Sequence, residues 1–100
     1  MKYSIKAICY DKRGRIISIG TNSYSKTHPI QAYFAKKTKE DYKIYLHAEI
    51  DAILKAKGKN IHKIHVIRFD KNGNQALAAP CKTCMEAIKA FGVKEISYTL

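Results

Sequence analysis

Four side chains in two short stretches carry the chemistry legible in this chain: His47 and Glu49 in His-Ala-Glu, and Cys81 and Cys84 in Pro-Cys-Lys-Thr-Cys. One imidazole and two thiolates make three metal ligands of the kind zinc prefers. Three protein ligands with an open fourth position mark a catalytic zinc, whereas a structural zinc is usually closed by four. Zinc brings the pKa of a bound water down to about 7, and Glu49 is a carboxylate placed to move protons on that water. Two rival readings use the same cysteines. A closed site of Cys81, Cys84, His62 and His65 sets its histidines at i and i+3 of an expected strand, on opposite faces, which is a poor spacing for one metal. A thioredoxin-like redox pair would need an order of elements that is absent.

Both stretches open helices in the periodicity. Residues 48–57 carry an apolar stripe of Ile50, Ile53 and Leu54 with Ala52 and Ala56, and Gly58 follows where a left-handed cap is common. Residues 81–91 place Cys84, Ile88 and Phe91 on one face and stop at Gly92. Helix N-termini carry unpaired N–H groups and a partial positive charge, which favours the thiolate of a cysteine there. Cys81 and Cys84, three apart, share a helical face.

The remaining elements must bring the two helix starts together. Residues 5–10 and 16–20 are β-rich and flank Asp11-Lys12-Arg13-Gly14, which predicts an antiparallel hairpin. Pro29 suits a first helical position, and Ile30, Tyr33, Phe34 and Lys37 follow at helical spacing, predicting a short helix over 29–36. Residues 36–43 read as a polar loop. The apolar run 61–69 predicts a strand buried on both faces. Asp70-Lys71-Asn72-Gly73-Asn74 is a turn, 75–79 a brief extended return, and 95–100 a closing strand with Ile96 and Tyr98 on one side. The tail of strand, helix, strand, helix, strand predicts right-handed crossovers and parallel neighbours. The expected fold class is α/β: one domain over 1–100, in three layers, with a mixed sheet that opens on an antiparallel hairpin and continues in parallel strands flanked by helices.

With His-Ala-Glu and Pro-Cys-Lys-Thr-Cys in that order, at two helix starts and with a strand between, the sequence resembles the cytidine and deoxycytidylate deaminase superfamily over most of its length. The resemblance implies Zn2+ held by His47, Cys81 and Cys84, with Glu49 as proton shuttle. It implies hydroxide attack at C4 of a cytosine ring and departure of ammonia. Asn22, at the end of the second strand, and the backbone of Ala48 would contact the pyrimidine. Histidine as first ligand is more similar to the deoxycytidylate, tRNA-adenosine and polynucleotide deaminases than to the free-cytidine enzymes. Against the family pattern, the chain ends at the strand after the second motif helix, and residues 24–46 form a longer connection than in compact members.

Nineteen Lys plus Arg against eight Asp plus Glu gives a net charge of +11. That field suits phosphorylated substrates and polyanions, or is a solvated lysine-rich surface. The expected function is therefore a zinc hydrolase acting on cytosine in a free nucleoside or nucleotide. The alternatives are a deaminase of single-stranded DNA or RNA, and a non-catalytic zinc-stabilised binding module. Lys26, Lys36, Lys37 and Lys39 are a solvated face or a phosphate site, Tyr42 and Tyr45 are the aromatic candidates for stacking on a base, and His28 is a further pocket candidate. Cys9 reads as a buried apolar residue. Three cysteines, with no signal peptide expected and no apolar run of membrane-spanning length, favour a reducing, cytoplasmic setting. An open sheet edge predicts a homo-oligomer.

Overall fold

The computed structural model describes residues 4–40 and 45–99. In chain order it contains β1 (Ser4–Tyr10), β2 (Ile16–Thr21), α1 (Pro29–Lys37), α2 (Ala48–Lys55), β3 (Lys63–Phe69), β4 (Gln75–Ala76), α3 (Lys82–Ala90) and β5 (Glu95–Tyr98). The expected N-terminal hairpin forms. Asp11 closes it by accepting the backbone N–H of Arg13 and Arg15 on Oδ1 and the Arg15 Nε–H on Oδ2, each at 2.9 Å, while Gly14 supplies the positive φ of 81°. The Asp70 turn is built the same way, with Asn72 and Asn74 donating to Asp70 Oδ1 and Gly73 at φ 83°.

The sheet corrects the expected run of parallel strands. Its order is β2-β1-β3-β4, with β5 also on β3. The pairs β1–β2, β1–β3 and β3–β4 are antiparallel, and the parallel pair is β3–β5. The reason is topological. β2 and β3 both run opposite to β1, so they point the same way across the β2-to-β3 connection, but β1 lies between them. The β3-α3-β5 unit is the crossover whose strands become neighbours. β5 takes Lys63–Val66 of β3 and β4 takes Arg68–Phe69, end to end along the edge that β1 leaves open.

The layering is corrected too. Ala7, Cys9, Ile64 and Val66 are buried on one face of the sheet, under Ala48, Ala52 and Ile53 of α2 and Ile88 of α3. Phe34 of α1 packs on Ile50, Cys84 and Ala87, so α1 lies against α2 and α3. The helices thus cover one face and do not flank the sheet. β3 is accordingly buried on that face alone: Ile64 and Val66 are 0% and 1% exposed, while His65 and Ile67, which alternate with them, are half-buried. Phe91, expected on one face of α3 with Cys84 and Ile88, is the C-cap of that helix and lies at the surface. No helix among the described residues is long and apolar enough to cross a membrane.

α2 lies very close to β2. Ser18 Oγ donates to Ala52 O (2.7 Å), and Thr21 N donates to Asp51 Oδ2 (2.9 Å). Gly20 faces the same helix, and a Cβ there would be driven into Ala48 O and Ala52 N, both backbone atoms. Gly20→Ala must lift α2 from the sheet. We expect it to cost at least about 1–3 kcal/mol in chemical denaturation, and a loss below about 0.5 kcal/mol would show that the helix moves freely.

Candidate metal centre

The connection after β2 is sewn to the entrance of α2. Asn22 Oδ1 accepts the N–H of Ile5 (2.9 Å), Ser23 N donates to Leu46 O (2.9 Å), Leu46 N donates to Lys26 O (2.9 Å), and Thr27 bridges Tyr45. The end of β2 is thereby held beside His47, which is the N-cap of α2 with extended backbone (φ −82°, ψ 155°). The His47 N–H is satisfied by Gln31 Oε1 of α1 at 3.1 Å, and Gln31 is 0% exposed. That bond fixes the backbone at the helix start, and the imidazole itself makes no cap bond.

Cys81 is the N-cap of α3 and also makes no side-chain cap bond. Between the two cysteines Thr83 turns the other way, fully buried. Its Oγ1 donates to Glu40 Oε1 (3.0 Å) and lies 3.0 Å from Thr38 Oγ1, at the end of α1. Both helix starts are therefore anchored on α1.

The two starts meet. His47 Nδ1 lies 3.2 Å from Cys84 Sγ and 3.6 Å from Cys81 Sγ, and the three ligand atoms all fall within 4.8 Å of one another. Zn–S of about 2.3 Å and Zn–N of about 2.0–2.1 Å at a tetrahedral angle put nitrogen and sulfur about 3.6 Å apart. The arrangement fits zinc, with Nδ1 as the imidazole ligand. This is the metal-competent His/Cys/Asp/Glu cluster found among the described residues. His62 lies near Glu95 (3.7 Å) and His65 Nδ1 pairs with Ser97 Oγ (2.6 Å), so neither joins the cysteines.

The electrostatics are those of two thiols and a buried carboxyl sharing few protons. The Cys84 thiol beside Cys81 holds the Cys81 thiol down to about 3, and the same partnership with burial pushes Cys84 up. Glu49, in the first turn of α2 and 5% exposed, has its carboxyl raised chiefly by burial. Glu49, His47 and Cys81 all line one cavity of about 370 Å³.

Asn22 and Tyr45 line that cavity too, whereas His28 is the N-cap of α1, accepting the Ile30 N–H on Nδ1 (3.1 Å), and is not among the lining residues. Ala48 is fully buried at the first helical position, between the lining residues His47 and Glu49. Tyr42 lies outside the described residues, as do 41 and 43 of the expected 36–43 loop, whose start α1 takes over up to Lys37. Tyr24 and Arg68 also line the cavity, and sequence reasoning passed over both. It also passed over Gln31. The expected stripe of α1 included Tyr33, which is 61% exposed; the buried face is Gln31, Phe34 and Ala35. A glutamine at i with Phe and Ala at i+3 and i+4 was the available signal.

Gln31→Leu keeps the volume and withdraws the acceptor from His47. We expect a stability loss of about 1–3 kcal/mol and zinc binding weakened about 10- to 100-fold, read by competition with a chromophoric chelator. Unchanged zinc affinity in a folded variant would make Gln31 a core residue only.

The family model described as the cytidine and deoxycytidylate deaminase zinc-binding region matches residues 1–100. No curated protein matches the chain.

Proposed function

The chain belongs to the cytidine and deoxycytidylate deaminase family, and from that premise we propose that it is a zinc-dependent hydrolase converting cytosine to uracil in a free (deoxy)cytidine nucleoside or nucleotide. One observation carries the reading. The three zinc-ligand atoms converge, and two of their residues, His47 and Cys81, line a small-molecule-sized cavity together with a buried carboxyl, Glu49. When bound, zinc supplies Lewis acidity that makes water a nucleophile near neutral pH.

The chain's own residues do the rest. Cytosine has a ring nitrogen, N3, that must gain a proton as water adds at C4, and an amine that must leave as ammonia. Glu49 is the group that takes one proton from water and delivers it to N3, then takes the remaining O–H proton of the C4 adduct and delivers it to the departing amine. Its raised pKa matches this work, since a carboxyl that holds its proton closer to neutrality exchanges it more readily there. Asn22, oriented by its bond to Ile5, and the backbone at Ala48 are the candidates to fix the pyrimidine edge. Tyr24 and Tyr45, each about half exposed at 45% and 46%, offer ring faces beside the base.

The test is ammonia release by the zinc-loaded protein from cytidine, deoxycytidine, their monophosphates and a cytosine-containing single-stranded oligonucleotide, each repeated after chelation. Release from the free compounds that stops on chelation and returns with zinc is the expected result. Release from the oligonucleotide alone would transfer the activity to polynucleotides. Tight zinc binding with no release from any of them would make the chain a binding module.

A further inference from the structure

Most of the lysines and arginines of this chain stand on its surface, but one arginine enters the cavity. Arg68 is the only Lys or Arg among the described residues that line it. It sits on β3 two residues beyond Val66 and opposite Ile5 of β1, and both of these also line the cavity. Alternation along a strand puts it on the same face as Val66, the face that carries the helices. The strand end is pinned where β4 and β5 meet. Thr99 Oγ1 accepts the Arg68 N–H (3.3 Å) and donates to Ala76 O (2.7 Å), while Thr99 N donates to Val66 O (3.0 Å). Arg68 Nη1 reaches Leu77 O at 3.4 Å, which tethers one arm of the guanidinium.

We propose that Arg68 forms an anion subsite in this cavity and takes the phosphate of a free cytosine mononucleotide. The inference rests on the deaminase reading for the identity of the base. A guanidinium is charged at every working pH and its forked donors match a phosphate better than a point-like ammonium does. An uncharged nucleoside presents no anionic group to such a fork. Glu49, the one carboxylate among the described lining residues, works on the base in the proposed reaction, so the two charged groups divide the substrate between its reacting and its anionic ends. A volume of about 370 Å³ suits a small molecule and not a tracked strand. The lysines considered for a phosphate on sequence grounds, Lys26, Lys36, Lys37 and Lys39, are all exposed and none lines the cavity.

The experiment compares kcat/KM for deoxycytidine, deoxycytidine monophosphate and a single-stranded oligonucleotide holding one cytosine, in wild type and in Arg68→Ala, Arg68→Gln and Arg68→Lys. Zinc content and far-UV dichroism establish folding first. Wild type should prefer the monophosphate to the nucleoside by at least about tenfold, and Ala or Gln should lower that ratio about 10- to 100-fold. Lys should restore part of it. A ratio unchanged within about twofold in a folded Gln variant would overturn the subsite, and so would a wild-type preference for the oligonucleotide. Calorimetric binding of the product, deoxyuridine monophosphate, against deoxyuridine reads the subsite without turnover. Arg68-dependent nucleotide binding in a protein that deaminates nothing would keep the subsite and sink the deaminase reading. Nucleotide binding that ignores Arg68 would sink the subsite alone.

Discussion

Glu49→Gln yields a protein with wild-type zinc content and a turnover lower by about 10²- to 10⁴-fold, the range that a positioned acid–base group contributes. The glutamine is nearly isosteric, and no ligand atom is removed from the His47, Cys81 and Cys84 set. Loss of zinc from this variant would mean that the carboxylate is a ligand and that the proposed role is wrong. The same change should also stabilise the metal-free protein near neutral pH. Burial raises the Glu49 pKa in the folded state, so folded chains hold its proton more tightly than unfolded ones. Wild-type stability therefore falls as pH rises from the unfolded pKa through the folded one, and stays reduced above it. Glutamine has no charge to bury. The gap in favour of Glu49→Gln should be absent in acid and present at neutrality, as measured by denaturation of the chelated proteins. A variant less stable than wild type at neutral pH would contradict burial as the dominant influence on this carboxyl.

His47→Ala or Cys84→Ala should weaken zinc binding by more than the 10- to 100-fold that losing an outer partner costs, and should abolish deamination. The effect on stability is read by chelation. Zinc at a thousandfold excess over its dissociation constant adds about 4 kcal/mol to a folded state that alone binds it, so wild type should melt several degrees lower once stripped. The two variants should show almost no response to the chelator. Cys84 is fully buried against Phe34, Ile50 and Ala87, so its loss also leaves a void; Cys84→Ser controls for that volume. A chelator response that persists undiminished in His47→Ala would place the bound metal elsewhere.

The local part of this structure was legible because local chemistry decides it. Asp11 and Asp70 build their turns from their own side chains, Pro29 and Gly92 bound their helices, and Cys81 and Cys84 share a face by spacing alone. What escaped was set by long-range partners. The apolar run around Ile64 and Val66 gives no sign that helices cover one face only, since half-buried Ile67 and fully buried Ile64 are the same residue type. The parallel direction of β2 and β3 followed from their connection, but β1 standing between them did not. At the site, the motif residues declared themselves, while Gln31 and Arg68 became visible only through what they face: a backbone N–H in one case, a cavity in the other.

His47 and Cys84 stand 37 residues apart in the chain, and the fold brings Nδ1 of one to 3.2 Å from Sγ of the other. For an unfolded chain, drawing such a loop closed costs about 3–4 kcal/mol of conformational entropy. The hydrogen bonds that sew 23–27 to 45–46, and Thr83 to the end of α1, meet that cost during folding. The folded protein should consequently capture zinc some 10²- to 10³-fold more tightly than the same three ligands on an unfolded chain, from loop entropy alone. Metal occupancy in this protein is then a direct gauge of how completely the chain has folded.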